Sequence, residues 1–190
     1  MPPKRRRAAA RLGNNLNAEL PPRPPLAVGR VRAWFEPEHI VAHLRRKILS
    51  AHYVVACVAW CSNPVLLDAL RRCRGVSLVI NYDRGLIRKH REEYMALTPM
   101  EGARTAVSWV RGRGRALMHH KFAVYLDASK RPLSVTTGSF NFTKQSTKNI
   151  EHSLEVSDPV VAARFMREHL DVLAISTPLP KPRTSRVKKT

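Results

Sequence analysis

Between Met118 and Glu151 the sequence reads MHHKFAVYLDASKRPLSVTTGSFNFTKQSTKNIE, which sets His119, Lys121, Ser139, Asn141 and Glu151 in one turn-punctuated stretch. An imidazole, an ammonium, a hydroxyl, an amide and a carboxylate together suit metal-independent phosphodiester chemistry. The imidazole can attack phosphorus and be displaced later by water, which splits one difficult step into two. Phosphoryl transfer is catalysed largely by positioning and by stabilising charge on the non-bridging oxygens. Lys121, Ser139 and Asn141 are donors for that purpose. Glu151 would hold the second ring nitrogen of His119 and so fix its tautomer.

Spacing supports the grouping. In a strand alternate side chains share a face, so His119 and Lys121 point one way while His120 and Phe122 point the other. Gly138 allows a tight bend or a close backbone approach. Ser139 and Asn141 again stand two apart, with Phe140 and Phe142 between and after them as apolar anchors. A histidine beside a lysine is ordinarily a surface feature, and G-S-x-N is a common turn. Five such side chains in order within about thirty residues favour the functional reading strongly over chance.

The runs MHHK, TGSFNFT and N-x-E resemble the HKD motif of the phospholipase D superfamily, H-x-K followed by an Asp, G-S-x-N and a downstream acid. The resemblance implies His119 as nucleophile, Lys121, Ser139 and Asn141 as phosphate ligands, and Glu151 as partner of His119. It covers roughly residues 31–174 and is specific only in the second half. One position departs: the family's Asp follows the Lys after four residues, a slot that holds Leu126 here, with Asp127 next to it. Either a bulge restores Asp127 or the position is unused. Members of the superfamily use two such histidines, one attacking and one protonating the leaving oxygen, whereas this chain has one H-x-K with G-S-x-N. A two-fold homodimer with the site at its isologous interface supplies the second. The small single-motif members include dimeric endonucleases and cardiolipin hydrolases.

At 190 residues the chain holds one domain and tails. Its net charge is +20, of which residues 1–30 carry +6, residues 178–190 carry +5 and the body +9. A basic body favours a polyanionic partner: nucleic acid first, with anionic phospholipid as the rival. Arg111, Arg113 and Arg115, at alternate positions just before Met118, are placed to track a phosphate backbone; the bland alternative is a solvated hairpin tip. Lys144, Gln145 and Lys148 could add phosphate contacts. Cys57, Cys61 and Cys73 are an odd set without a secretory signal, which points to reduced thiols inside the cell. His52, Cys57 and Cys61 are poorly spaced for zinc, so no metal or other cofactor is expected. No apolar run approaches the roughly 18 residues of a membrane span. The expected location is intracellular and soluble, in nucleus or cytoplasm rather than an organelle, because Pro21, Pro22, Pro24 and Pro25 break any long targeting helix.

The elements that must position the site alternate. Residues 1–26, proline-broken and headed by KRRR, read as a disordered basic arm, and residues 177–190 as a disordered basic tail. In between, residues 27–176 read as the catalytic domain. Val28 to Phe35 reads as extended. A helix follows from Pro37, with Ile40, Val41, Leu44 and Ile48 inward and Arg45, Arg46 and Lys47 on the wet side. His52 to Trp60 is apolar enough for a central strand. Ser62, Asn63 and Pro64 start a helix over Val65 to Arg72, Val76 to Asn81 is a strand, and Leu86 to Leu97 a charged helix. Strands follow at Thr105–Val110, Lys121–Leu126, Leu133–Thr137 and Glu151–Val156. Asp158 and Pro159 then cap a last helix with Val161, Phe165 and Met166 in the core. The order predicts an α/β fold, a layered α-β-α sandwich around a central mixed sheet, phospholipase D-like as the resemblance implies.

Three functions follow. The first is a metal-independent endonuclease working through a phosphohistidine, the second the same chemistry on a phospholipid such as cardiolipin, and the third a nucleic-acid-binding module without activity.

Overall fold

A computed structural model describes residues 26–112, 114 and 116–180. The expectations for residues 1–25 and 181–190, and for Arg113 and Arg115, fall outside the described residues. In chain order the elements are β1 (Leu26–Val28), β2 (Val31–Trp34), α1 (Pro37–Ser50), β3 (Tyr53–Val58), α2 (Pro64–Arg71), β4 (Gly75–Asn81), α3 (Arg84–Lys89), α4 (Arg91–Met95), β5 (Val107–Val110), β6 (Lys121–Leu126), β7 (Pro132–Gly138), β8 (Ser153–Val156), α5 (Pro159–Ala174) and β9 (Thr177–Pro178).

The strands form one mixed sheet in the order β1-β2-β8-β7-β6-β3-β4-β5-β9. β3, β4 and β5 run parallel, as crossovers through α2 and through α3–α4 require. β6, β7 and β8 form an antiparallel meander against β3, and β2 and β1 extend it. All six residues of β3 are buried, so its continuous apolar run YVVACV reflects cover on both faces. One face packs Ile40, Leu44 and Ile48 of α1 and Leu66, Leu67 and Leu70 of α2 onto Val54, Ala56, Val58, Leu78 and Ile80. The other packs Ala162 and Val172 of α5, with Phe165 and Met166 partly buried, onto Val55, Cys57, Val79, Phe122 and Val124. This is the expected layered α/β sandwich.

Local chemistry explains the helix starts. Asn63 accepts the Val65 and Leu66 N–H groups, Asp83 the Leu86 N–H and Asp158 the Val160 and Val161 N–H groups, and Pro64 and Pro159 occupy the first helical turn.

Five readings change. Val28 to Phe35 is not one extended piece: β1 and β2 form a hairpin turning at Gly29, whose φ of 55° suits glycine. The helix expected over Leu86–Leu97 is two short helices, because His90 leaves helical geometry at φ −109° and ψ 22°. Lys47 is not on a wet face, since its ammonium reaches the buried Glu155 carboxylate of β8 at 2.7 Å. Val161 is 36% exposed while Ala162 takes the core position beside it. The last correction concerns the end of the domain at residue 176. Thr177–Pro178 pairs with the outer edge of β5, and Leu179 is buried with its N–H on the Val107 carbonyl at 2.9 Å.

Two buried polar groups tie the layers together. Glu155 accepts Ser157 Oγ at 3.1 Å beside Lys47, and faces His43 Nε2 at 3.4 Å. His43 stacks on Trp34 with ring centroids 3.5 Å apart, and Arg46 lies 3.1 Å from its Nδ1. His43 Nδ1 accepts from Arg46, whereas His43 Nε2 and Glu155 Oε2 are buried facing each other without a hydrogen bond among the described residues. On the opposite face His169 sits between Ser77 Oγ, 2.9 Å from Nε2, and Cys57 Sγ, 3.5 Å from Nδ1. Burial pushes His169 down to about 4, against a smaller upward pull from the Ala56 backbone. Its proton is therefore bound more readily by the unfolded chain, and stability falls as pH drops from about 6.5 toward 4.

Denaturant unfolding at pH 7 and pH 5 should show a loss that includes about 2 kcal/mol from His169 alone. A His169→Asn chain, less stable at pH 7, should lose correspondingly less between the two pH values. An identical pH-dependent loss in both chains would remove His169 as a source.

Candidate active site

The site forms where four strands end at one margin of the sheet. In the β3–β6 pair Val58 stands opposite Lys121, and the pairing continues as Ala59 N–H donates to the His120 carbonyl at 2.9 Å. Phe122 pairs with Thr137, and Gly138 with Ser153. The first residue of β6, the last of β7 and the first of β8 therefore lie side by side, which gathers residues more than thirty positions apart.

Alternation separates the two histidines as expected. His120 faces α5, with Nε2 2.9 Å from Glu168 Oε1 and its ring against Phe122. His119 is exposed on the other side, with the Trp60 indole edge-on at a centroid distance of 5.7 Å and an interplanar angle of 80°. The Lys121 ammonium donates to the His119 carbonyl at 2.8 Å. Partial burial lowers the Lys121 pKa, and the nearby Glu151 carboxylate opposes that shift. Lys121 and Glu151 are thus within electrostatic reach of each other.

Glu151 is held by Ser139 of the G-S-x-N turn and by Asn149. Ser139 Oγ donates a short hydrogen bond to Glu151 Oε2, and Asn149 Nδ2 donates to Oε1 at 3.3 Å. Among the described residues no hydrogen bond joins Glu151 to the His119 ring. Ser139 also accepts the His152 N–H at 3.1 Å and donates its own N–H to the His152 carbonyl at 3.2 Å. Its one hydroxyl proton points at the carboxylate, so serving a phosphate requires it to turn. Asn141 Oδ1 accepts the Trp60 N–H at 3.4 Å, an arrangement that directs the amide N–H donors elsewhere. Phe140 and Phe142 are buried and anchor the turn, and the Phe142 carbonyl accepts the Ser62 and Asn63 N–H groups.

Gly138 is explained by close approach. Its φ is not positive, but a Cβ there would collide with the His152 carbonyl oxygen and lie 3.0 Å from Ser153 Cα. The tight β7–β8 contact is what sets Ser139 against Glu151.

Asp127 is a turn residue. The pairing does shift between Tyr125 and Leu126, but Asp127 lies beyond the far end of β6, where it accepts the Ser129 and Arg131 N–H groups at 2.9 Å and the Arg131 guanidinium at 2.8 Å. The irregularity does not return it to His119. Arg111 stacks on Tyr82, its Cζ 3.9 Å from the ring centroid. Lys144 lines a groove of about 790 Å³ between α2 and α4, where Asp68, Glu92 and Glu93 balance Arg71 and Lys89. Cys57 and Cys61 are buried, and burial pushes both thiols up to about 12.

Two positioning residues escaped the sequence reading. Asn81, buried at the end of β4, accepts the Met118 N–H at 3.3 Å and so fixes the chain entering H-x-K; a polar residue closing the apolar run VSLVIN was its one signal. Trp60 touches His119 with its ring and Asn141 with its backbone, a role the sequence gives no means of distinguishing from core packing.

Residues 44–171 match the family described as cardiolipin synthase, PLD-like domain. An uncharacterised protein of Acanthamoeba polyphaga mimivirus, L381, is 24% identical over 182 residues, 75% of this chain. The match spans 64% of that protein's length. NucT from Helicobacter pylori is similar in structure with a TM-score of 0.62 and 17% identity, covering 78% of this chain and 98% of its own. Nuc from Salmonella typhimurium, described as a phospholipase D family member, gives 0.61 and 22%, covering 80% and 98%. The phosphatidylserine synthase of Haemophilus influenzae gives 0.62 and 11%, covering 84% of this chain and 42% of its own. At these identities the structures speak for the fold.

Gly138→Ala should destabilise the chain by about 1–3 kcal/mol through forced separation of β7 and β8. Gly85→Ala, at the start of α3 with ordinary contacts, serves as the control. Urea midpoints that move equally for both would show that the contact is slack.

Proposed function

The chain belongs to the phospholipase D superfamily of phosphodiesterases, and on that footing we propose that it hydrolyses nucleic acid as a metal-independent endonuclease. The carrying observation is the exposed His119 imidazole beside Lys121 at the strand ends, with the Ser139–Glu151 pair within electrostatic reach of the ammonium.

In this reading a phosphate diester settles with its non-bridging oxygens on the Lys121 ammonium and the Asn141 amide, and Ser139 turns its proton from Glu151 to the ligand. A His119 ring nitrogen attacks phosphorus and the P–O bond to the leaving group breaks. That oxygen takes a proton from His119 of a second copy, giving a phosphohistidine and a free hydroxyl end. The second imidazole then removes a proton from water, the water oxygen attacks phosphorus, and the P–N bond breaks to restore His119. Glu151, released by Ser139, becomes available to the imidazolium. The chain carries one H-x-K with G-S-x-N, so the second imidazole comes from a homodimer whose two-fold axis passes beside the site. Leu117 and Ile150, 52% and 55% exposed on either side of the motif, are apolar surface that such a seam would cover.

The same two residues favour the second reading, in which the substrate is a phospholipid such as cardiolipin and Leu117 and Ile150 meet acyl chains. The basic body, +9 without the tails, favours nucleic acid. No helix among the described residues is long and apolar enough to cross a membrane.

His119→Ala should abolish turnover of single- or double-stranded nucleic acid while sparing binding, and EDTA should leave wild-type turnover intact. Activity should follow a bell-shaped pH profile whose limits belong to the coupled imidazole pair. Complete loss in EDTA would refute the metal-independent mechanism. Turnover of cardiolipin vesicles without nucleic-acid cleavage would transfer the site to lipid, and silence on every phosphodiester would leave a binding module.

A further inference from the structure

Register beyond the strand ends places four side chains in one rank. Trp60 stands opposite His119, one step past the Ala59–His120 contact. Asn81 N–H donates to the Ala59 carbonyl at 3.0 Å, which carries the β3–β4 pairing on and puts Tyr82 beside Trp60. Tyr82 N–H donates to the Val110 carbonyl at 2.8 Å, which puts Arg111 beside Tyr82. Period-two alternation sends His119, Trp60, Tyr82 and Arg111 to the same face. Contacts join neighbours at each end of the rank, His119 to Trp60 at 5.7 Å and the Arg111 guanidinium over Tyr82 at 3.9 Å, with the Trp109 ring 4.7 Å from Tyr82, and strand register sets the two ends side by side. Trp60, Tyr82 and Trp109 are half-buried, and Arg111 and His119 are exposed.

Resting on the reading above, we propose that this rank is a stacking platform for the unpaired bases of a single-stranded nucleic acid, leading its phosphate backbone to His119. Three strand spacings separate His119 from Arg111, about 14 Å, the length of a few nucleotides. Aromatic rings beside a cation are the combination that holds single strands, because every base offers a π-face and every linkage a negative charge. A duplex hides its base faces in the stack, so a rank of rings at the margin of a sheet selects the unpaired strand. Were the rank mere packing, its cation would be expected to pair with an acid. Among the described residues no carboxylate pairs with Arg111, which holds its charge over the half-buried Tyr82 ring instead. The net charge of +20 supplies the attraction, and the rings supply the preference for bases.

Equilibrium binding of labelled oligonucleotides with phosphorothioate linkages, which slow cleavage, tests the platform. The probes are a short single strand, an abasic strand of the same length, and the duplex. The wild-type chain should bind the intact strand about tenfold or more above the abasic strand, and above the duplex as well. Trp60→Leu and Tyr82→Leu should each remove most of that ratio, and Tyr82→Phe should keep it. Arg111→Gln should weaken intact and abasic strands alike and reduce the salt dependence by about one counterion. Thermal melts establish that each variant is folded, and Tyr82→Phe covers the case in which a leucine variant is not. Equal binding of intact and abasic strands, a duplex bound as tightly as the single strand, or a ratio untouched in both folded leucine variants would overturn the proposal. Cleavage plays no part in the measurement. Selective binding without turnover would sink the nuclease reading alone, whereas turnover without base preference would sink the platform alone.

Discussion

The pairing of Val58 with Lys121 is the constraint on which the site depends. Strand side chains alternate with a period of two, so a slip of one residue between β3 and β6 would send Lys121 and His119 toward α5 and bring His120 to the site margin. The register is held by burial on both faces. Phe122 and Val124 pack under α5 while Ala123 and Tyr125 pack under α1 and α2, and a shifted strand would set each group against the wrong cover. Asn81 adds a polar lock by holding the Met118 backbone. The chemistry of His119 is thus specified by apolar residues that never touch a substrate.

The second half of the site is set by a different force. β7 and β8 come so close at Gly138 that a side chain has no room, and that contact seats Ser139 on Glu151. A glycine chosen for closeness leaves a conformation any residue could adopt. Its necessity is visible only once β8 is known to lie beside it.

Much of this was legible in the sequence. Apolar runs, prolines in first helical turns and the Asn63 and Asp158 caps report local preferences, and local preferences survive folding. The shared face of His119 and Lys121 was legible because strand alternation fixes it within short range, whereas the approach of Ser139 and Glu151 to them comes from the pairing of β6, β7 and β8. What stayed hidden was long-range. Lys47 looked like a solvated lysine because nothing near it in the chain says that Glu155, on another strand, is buried beneath it. Asp127 has the right chemistry one residue late, and only the pairing of β6 with β7 shows that it closes a turn at the far end. The alignment of Trp60, Tyr82 and Arg111 arises from three strand registers at once, and no window of sequence contains it.

The three thiols have a practical corollary. Cys57, Cys61 and Cys73 are buried, and burial holds them at about 12, about 12 and about 11. Thiolate is the reactive form, so near neutral pH the native protein has almost no nucleophilic sulfur to offer maleimides or iodoacetamide. A cysteine introduced on the surface would be tagged against a silent background, which makes the unaltered scaffold suited to attaching a single dye or spin label.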